Sequence, residues 1–238
     1  MNVGVLKERK RDERRVALLP GQASELVESG HSVYVETGAG QAAGYGDEIY
    51  KKAGASIVAR NDVYTLARLL LKVKCPLEDE YDLLDEHHLL MAYLHFDENI
   101  PKSRVERIIG RGATCLAYEW VEEGRGYFPL LQPMSELSGA VFAQKSMGLL
   151  MAHKGLLGGY YHHWFQPTAM VIGVGHIGAT AINVFLRNQF RLVIVDKHPE
   201  TLSGRLRAYV ESGLIDPGHI ETITFDETEP ESAVSRLQ

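Results

Sequence analysis

Val171-Ile172-Gly173-Val174-Gly175-His176-Ile177-Gly178 is the stretch that decides the fold of this 238-residue chain. Its glycines have the spacing Gly-x-Gly-x-x-Gly, which alone is weak evidence because it also occurs in unrelated loops. The flanking residues supply the context. Ala169–Gly173 has the composition of a buried strand, and Ile177–Leu186 has apolar residues at three- and four-residue spacing, which indicates a helix. The stretch therefore predicts a strand, a tight glycine turn and a helix, in that order.

The glycines and the start of the helix have separate mechanical roles in such a turn. Gly173 permits the turn, Gly175 lets the backbone approach a pyrophosphate, and Gly178 lets the helix pack closely on the strand. The N–H groups at the helix start, His176 and Ile177, bind anions together with the positive end of the helix dipole. We therefore expect these five residues to bind a dinucleotide.

A second strand and an acidic residue extend the pattern. Arg191–Val195 reads as a strand and ends at Asp196, about 20 residues after the first glycine, where such a fold places the residue that binds a ribose. Asp196 should accept hydrogen bonds from the ribose hydroxyls and repel a 2′-phosphate, which favours NAD over NADP. Lys197 and His198 follow directly and could weaken that repulsion.

Composition favours a globular protein and excludes several classes of partner. The chain is 45% hydrophobic, which is ordinary for a protein with a buried core. A net charge of −6 without a long basic run argues against nucleic acid as a partner. No run approaches the ~18 apolar residues of a membrane span, and no charged segment with an apolar signal core opens the chain. We therefore expect a cytoplasmic protein without membrane contact.

The predicted strands and helices of the N-terminal half alternate. The strands are Val3–Leu6, Ser32–Glu36, Leu69–Val73, Leu89–Tyr93 and Thr114–Ala117, and the helices are Gly21–Glu28, Glu48–Ala53 and Lys102–Ile109. Gly30 lies where the first helix should end. Such alternation predicts an α/β fold, a mostly parallel sheet with helices on both faces.

We divide the chain into three parts. Residues 1–134 form a Rossmann-like N-terminal domain that holds the substrate, and residues 168–238 form a partial doubly wound dinucleotide-binding domain. Residues 135–167 lie between them: a long apolar helix from near Ser135 to about His153, then a boundary loop, Tyr160–Pro167. After Asp196 we expect a helix around Leu202–Ser212, a strand around Thr222–Phe225 and a short final helix.

Basic residues follow several predicted strands of the N-terminal half. The run Lys7–Arg15 follows the first strand, Lys72 and Lys74 lie on or after the third, and His95 follows Leu89–Tyr93. Because ligands of open parallel sheets bind beyond the carboxyl ends of the strands, these groups can converge on a small carboxylate, with the histidine moving a proton. Each also has a plain structural interpretation: a solvated loop, a structural histidine, or two lysines facing solvent on an edge strand.

The cysteines and one histidine pair have no metal-like pattern. Cys75 and Cys115 should be reduced and act as small buried hydrophobes. His162-His163 could ligate a metal, but no further ligands stand at metal-site spacing. We therefore expect no metal.

Several of these motifs together resemble those of a known family. The chain resembles the family of alanine dehydrogenases and pyridine-nucleotide transhydrogenase α-subunits, and looks most like the alanine dehydrogenase branch. The matching motifs are Gly4-Val5-Leu6-Lys7-Glu8, Glu13-Arg14-Arg15-Val16-Ala17-Leu18-Leu19-Pro20, Val35-Glu36-Thr37-Gly38-Ala39-Gly40, Leu70-Leu71-Lys72-Val73-Lys74, Tyr93-Leu94-His95 and Pro133-Met134-Ser135-Glu136. With the fingerprint, the resemblance extends to about residue 200.

The resemblance implies a role for each matching residue. Arg15 and Lys74 would bind the substrate carboxylate, with Tyr93 beside them, and His95 and Lys74 would be catalytic. Ser135 and Met134 would lie near the nicotinamide of NAD. The implied reaction is the reversible oxidative deamination of L-alanine to pyruvate and ammonia, and the implied assembly is a homo-oligomer.

The chain also departs from the family. Family members continue for well over a hundred residues beyond the position of Gln238, so we expect a C-terminally shortened chain whose activity is open. Two other functions therefore remain open besides that of an alanine dehydrogenase. One is a catalytically degenerate relative that binds nucleotide, and the other is an opine-type amino-acid dehydrogenase.

Overall fold

The computed structural model describes residues 1–96, 101–158, 166–196 and 220–224, together with 204, 206–208 and 211. These residues divide into two compact units, Met1–Leu130 and Leu131–Gln238. Residues 160–165 of the predicted boundary loop Tyr160–Pro167 lie outside the described residues. The histidine pair and most of the predicted helix around 202–212 also lie outside them. So do Lys197, His198 and the predicted final helix.

The first unit is an α/β layer structure. Its strands are β1 (Asn2–Val5), β2 (Ser32–Glu36), β3 (Ser56–Val58), β4 (Leu69–Lys74), β5 (Leu89–Tyr93) and β6 (Thr114–Ala117). Its helices are α1 (Pro20–Glu28), α2 (Asp47–Lys52), α3 (Arg60–Leu66) and α4 (Lys102–Ile109), with short 3-10 turns at Gln41–Ala43, Glu78–Leu83 and Tyr118–Trp120.

The described strands of this unit form one sheet in the order β3-β2-β1-β4-β5-β6, and every pairing is parallel. The chain moves outward in one direction from β1 to β3, then crosses back to β4 and moves outward in the other. The reversal between β1 and β4 is a topological switch point, where open parallel sheets form a crevice for ligands. The predicted parallel sheet is therefore confirmed.

Apolar side chains cover both faces of the sheet. One buried cluster contains Val3, Val5, Val33 and Val35 with Tyr50 from α2. The other contains Leu6, Val63, Tyr64, Leu70, Leu90 and Ile108, with contributions from α3 and α4. Helices pack against both faces because a parallel sheet must bury both of them.

One alternative interpretation of β4 needs correction. Lys72 and Lys74 could have been solvent-facing residues of an edge strand, but β4 lies inside the sheet between β1 and β5. Lys72 is 1% exposed, and Lys74 is half-buried. The edge-strand interpretation is wrong because the crossover to β4 places this strand beside β1.

The second unit begins with the long helix α5 (Leu131–Lys154), which starts four residues earlier than the predicted Ser135. It continues with β7 (Thr168–Ile172), α6 (His176–Arg187), β8 (Arg191–Asp196) and β9 (Ile220–Thr224). The described strands form a parallel sheet in the order β7-β8-β9. Helix α6 packs on α5 and on this sheet through a core that includes Ala143, Ile182, Phe185 and Ile194.

Gly139 sets how closely the two helices of this unit approach. A Cβ atom at this position would collide with the carbonyl oxygen of Ile177 and would lie 3.0 Å from the Cβ atom of Thr180. Only a hydrogen atom fits there, so α5 and α6 touch backbone to backbone.

Candidate active site

A cluster of cations and aromatic rings lies at the carboxyl edge of the first unit's sheet. Arg15 comes from the long loop after β1, Lys74 ends β4, and Tyr93 ends β5. The ammonium of Lys74 lies 6.0 Å from the centroid of the Tyr93 ring, and the rings of Tyr93 and His95 are stacked at 6.4 Å. The structure therefore brings together four residues that the sequence predicted as a substrate site.

Arg15 is held by a carboxylate from its own loop. Its Nε and Nη2 donate to Glu13 at 2.8 and 2.6 Å, and its backbone N–H donates to the same carboxylate at 3.0 Å. The Arg15 guanidinium lowers the pKa of Glu13. This fork-like contact fixes the plane of a guanidinium that is still 42% exposed, so the loop keeps the group in a defined position at the surface.

Lys74 lies near two other cations, Arg15 and Lys10. Burial lowers its pKa, and the neighbouring charges of Arg15 and Lys10 lower it further. Within the described ranges, no salt bridge joins its ammonium to a carboxylate. Positive charges that are held close to one another favour an anion between them, and a carboxylate fits the donors of lysine and arginine.

Tyr93 forms the platform under this site. Its hydroxyl donates to the carbonyl oxygen of Leu130 at 2.7 Å, and its ring packs edge-on against Tyr118 at 5.1 Å. Burial raises the pKa of Tyr93, although Arg15 lowers it. The phenol therefore stays protonated near neutral pH, and its ring supports both Lys74 and His95.

His95 lies in an unusual backbone conformation. Its φ is +53°, a left-handed region that histidine visits more readily than most residues. Its backbone N–H donates to a carboxylate oxygen of Glu119, and the other oxygen of that carboxylate is buried without a partner among the described residues. The His95 side chain is exposed, and within the described ranges its ring makes no hydrogen bond. The alternative interpretation, a structural histidine with a buried and hydrogen-bonded ring, therefore does not apply to His95.

A buried ion cluster supports the end of β4. Lys72 lies between Glu8 at 3.7 Å and Glu80 at 3.4 Å, and all three side chains are at most 3% exposed. Glu8 also accepts hydrogen bonds from the backbone N–H groups of Val73 at 2.6 Å and Lys74 at 3.2 Å. The register of β4 against β5 shifts between Leu71 and Lys74. Glu8 thus binds the N–H groups at the irregular end of the strand and fixes the backbone of Lys74.

Glu8 and Glu119 are the residues that sequence reasoning missed. Glu8 belongs to the first quoted motif but has no role in the sequence prediction. Glu119 belongs to no motif, and its contact with His95 spans 24 residues of sequence. Glu8 lies close to Lys74 because β1 is next to β4 in the sheet, and Glu119 lies close to His95 because β6 is next to β5.

A cavity of about 510 Å³ opens beside the cluster. Its lining residues are Arg15, Val16, Ala17, Leu19, Ala43, Tyr45, Val73, Tyr93, Tyr118 and Leu130. Apart from one guanidinium and the tyrosine hydroxyls, the wall is apolar.

The fingerprint residues surround a cavity of about 570 Å³ in the second unit. Gly173, Gly175, His176, Ile177 and Gly178 line it, and from α5 come Ser135, Phe142, Ala143 and Ser146. Ser135 thus lies in the wall of the same cavity as the fingerprint residues. Met134 is not among the lining residues.

The backbone of the turn depends on its glycines. Gly173 has a φ of +85°, which favours glycine. A Cβ at Gly178 would collide with the carbonyl oxygen of Gly173, so the helix can start this close to β7 only with glycine there. Nothing lies within 4 Å of the Cβ position of Gly175. The start of α6 is thus open to an anion.

Asp196 ends β8 beside this turn. One of its carboxylate oxygens accepts a hydrogen bond from the backbone N–H of Val174 at 2.7 Å. Asp196 is partly exposed. The donor set of the turn, the open glycine and the adjacent carboxylate fit a dinucleotide: N–H groups for its phosphates and an acceptor for its ribose hydroxyls.

Comparisons with known proteins show which family the chain belongs to. The model of the alanine dehydrogenase/PNT N-terminal domain matches residues 4–138, more than half of the chain. The chain belongs to the alanine dehydrogenase/PNT family. An alanine dehydrogenase of Mycolicibacterium smegmatis is 36% identical over 240 residues, which cover 99% of this chain and 62% of the relative. An alanine dehydrogenase of Bacillus subtilis is 37% identical over 85% of this chain and 53% of its own length.

Solved structures of this family share the fold. A structure of L-alanine dehydrogenase superposes with a TM-score of 0.79 at 34% identity and covers 99% of this chain and 63% of its own. A transhydrogenase of Sinorhizobium meliloti superposes with a TM-score of 0.74 at 21% identity, covering 100% of this chain and 66% of its own, which shows a common fold alone. The chain thus spans a little more than half to about two thirds of the length of these relatives.

Two further features of the described residues concern membranes and metals. None of their helices is long and apolar enough to cross a membrane, and none of their histidine, cysteine, aspartate and glutamate residues form a group that could hold a metal ion. The two cysteines are free and half-buried.

Proposed function

We propose that this chain performs the chemistry of an alanine dehydrogenase: the reversible, NAD-dependent oxidative deamination of L-alanine to pyruvate and ammonia. The observation that carries the proposal is the convergence of Arg15, Lys74, Tyr93 and His95 at the topological switch point of the first unit. Membership in the alanine dehydrogenase/PNT family and the dinucleotide-fitting turn of the second unit support it.

Arg15 and Lys74 bind the substrate carboxylate in this proposal. Glu13 holds the plane of the guanidinium, and Glu8 fixes the backbone of Lys74, so two donors are in place before the substrate arrives. The fixed cations orient the neighbouring carbon of the substrate, which is the reacting centre.

His95 moves the proton at the amine-bearing carbon. Its ring is exposed, and an unprotonated imidazole nitrogen accepts a proton, so His95 can take a proton from water as the water attacks the imine carbon and return it in the reverse direction. The left-handed backbone and the Glu119 contact hold the ring against Tyr93 and limit its freedom.

Gly173, Gly175, His176, Ile177 and Gly178 bind the pyrophosphate of the cofactor in this proposal, with Asp196 on the ribose and Ser135 in the wall of the same cavity. NAD, when bound, supplies the acceptor of the hydride that leaves the substrate carbon.

The test is oxidation of NADH by the purified 238-residue chain with pyruvate and ammonia. Lys74→Ala is expected to lower kcat/KM about ten- to hundredfold, since a hydrogen bond to a charged group contributes about 1.5–3 kcal/mol. Lys52→Ala, at an exposed lysine of α2 in the same unit, is the matched control and should leave turnover unchanged.

Equal turnover in Lys74→Ala and Lys52→Ala would contradict the proposed substrate site. Absence of turnover in the unchanged chain, with NADH binding retained, would instead indicate a relative that binds the nucleotide without catalysis.

A further inference from the structure

The loop Lys7–Arg15 carries positive charge that its own carboxylates do not balance. It contains six cations and three carboxylates, whereas the whole chain has a net charge of −6. Arg9, Arg11 and Arg15 each form a salt bridge with a carboxylate. The other three cations of the loop form no salt bridge with any residue that the structure describes: Lys7, Lys10 and Arg14.

A turn within this loop holds Lys10 close to Arg15. The backbone N–H of Glu13 donates to the carbonyl oxygen of Lys10 at 3.1 Å, the hydrogen bond that closes a β-turn. Asp12, inside the turn, has a φ of +65°, a left-handed conformation that aspartate adopts more readily than most residues. Because the Glu13 carboxylate also binds the Arg15 guanidinium, Lys10 is joined to the proposed substrate site through a single residue.

The charge of Lys10 acts on that site. Burial and the charge of Arg15 lower the pKa of Lys74, and Lys10 lowers it further, by more than either Glu13 or Glu8 raises it. The Lys10 side chain itself is exposed. Positive charge held at the entrance to a binding site attracts anions and raises their local concentration.

The two substrates of the proposed function differ in net charge. At neutral pH pyruvate carries one negative charge, whereas L-alanine carries an ammonium as well as a carboxylate and has no net charge. Arg15 and Lys74 meet a carboxylate in both, but attraction by a more distant charge depends on the net charge of the molecule.

We propose that Lys10 favours binding of the anionic 2-oxo acid over the zwitterionic 2-amino acid, and that it does so through its charge without contacting either. This proposal rests on the proposed function, because it assumes that Arg15 and Lys74 bind the substrate carboxylate.

The experiment measures binding of pyruvate and of L-alanine to the full chain with saturating NADH, by titration calorimetry. Lys10→Gln removes the charge and Lys10→Glu reverses it, while the backbone carbonyl that closes the turn remains. At about 0.01 M ionic strength, where the Debye length is about 30 Å, pyruvate should bind about two- to fivefold more weakly in Lys10→Gln and about four- to twentyfold more weakly in Lys10→Glu. The affinity for L-alanine should change by less than about twofold in both.

Ionic strength and a second lysine provide the controls. At about 1 M ionic strength the Debye length is about 3 Å, so the effect on pyruvate should fall below about twofold. Lys52→Glu, at an exposed lysine of α2, makes the same change in net charge as Lys10→Glu and should leave both affinities within about twofold at either ionic strength.

Four outcomes would overturn the inference: unchanged pyruvate binding in Lys10→Glu, equal weakening of pyruvate and L-alanine, a loss that persists at high ionic strength, or an equal effect of Lys52→Glu. If Arg15→Ala still abolishes binding of both acids in those cases, the proposed function stands. Failure of the unchanged chain to bind either acid, or binding that Arg15→Ala does not alter, overturns the proposed substrate site and the inference together.

Discussion

The carboxylate of Asp196 has a structural partner as well as a proposed ligand. It accepts a hydrogen bond from the Val174 N–H in the glycine turn, so it fixes the turn and places a negative charge beside the expected ribose. A negative charge there repels the 2′-phosphate of NADP. At the residue scale, we expect this one carboxylate to couple the shape of the turn to the choice of cofactor.

Asp196→Asn should relax this choice. An amide oxygen can still accept from Val174, but the charge is lost, so binding of 2′,5′-ADP should improve relative to 5′-ADP by at least about fivefold, because like charges 4 Å apart repel by about 1 kcal/mol even in water. Titration of both nucleotides against the full chain measures the ratio.

Asp196→Ala is the informative companion to that variant. It removes both the charge and the acceptor, so the turn should lose its support and both nucleotides should bind more weakly. An unchanged ratio of the two affinities in Asp196→Asn would show that another group selects the cofactor.

At the scale of elements, the end of β4 depends on buried charges. Two carboxylates, Glu8 and Glu80, face the single ammonium of Lys72. Burial raises the pKa of Glu8, and Lys72 lowers it again. Removing the ammonium of Lys72 leaves two buried carboxylates whose hydrogen-bond partners among the described residues are backbone N–H groups alone.

Lys72→Met should therefore cost about 3–5 kcal/mol of unfolding free energy, the usual cost of breaking a buried ion pair. The pKa of Glu8 should rise further in the variant, so its folded form binds a proton more readily than its unfolded form. The loss of unfolding free energy relative to the unchanged chain should be largest at pH values above that raised pKa. It should shrink as the pH falls toward 4.5, the ordinary pKa of a glutamate.

Urea unfolding at several pH values measures this deficit, with the exposed Lys52→Met as the control. The control should change stability by less than about 0.5 kcal/mol. A deficit for Lys72→Met that stays constant from neutral pH to pH 4.5 would mean that the carboxylates do not respond to the missing cation.

The helix pair α5 and α6 offers a second element-scale test. Gly139→Ala places a methyl group against the Ile177 carbonyl, which should cost about 1–3 kcal/mol through displacement of the helices. Gly148→Ala, on the same helix but with nothing within 4 Å, should instead gain about 0.5–1 kcal/mol, the usual difference between glycine and alanine in a helix. Thermal unfolding of both variants compares them, and an equal effect would exclude close packing as the reason for Gly139.

The sequence predicted most of these elements and the parallel sheet, but not the order of the strands. Strands β2, β5 and β6 and helix α4 have the predicted bounds. Strand β3 and helix α3 were missed, since three and seven residues are too few for a periodicity to appear. The burial of Lys72 was also missed, because neighbours across a sheet depend on strand order.

At the scale of the whole molecule, the proposed ligand groups belong to different compact units. The cation cluster lies within Met1–Leu130, and the glycine turn lies within Leu131–Gln238. The family resemblance predicted the residues of both sites, since its motifs span both units. It could not predict Glu119, whose role depends on a contact that no motif records.

This division predicts that the two kinds of binding can be lost separately. Arg15→Ala should abolish binding of the 2-oxo acid but leave the affinity for 5′-ADP unchanged within about twofold, since the nucleotide contacts lie in the other unit. Conversely, Gly178→Val should abolish 5′-ADP binding, because its side chain would collide with Gly173. Loss of 5′-ADP binding in Arg15→Ala would contradict the assignment of the ligands to separate units.

The free cysteines have a practical consequence for such measurements. Burial raises the pKa of Cys75, and burial together with Cys75 raises that of Cys115 to about 11. Both thiols are therefore protonated at neutral pH and react slowly with alkylating reagents, since the thiolate is the reactive form. A cysteine introduced at the exposed Trp120 could then carry a fluorophore without prior removal of the native thiols, and ligand binding near His95 could be followed by its emission.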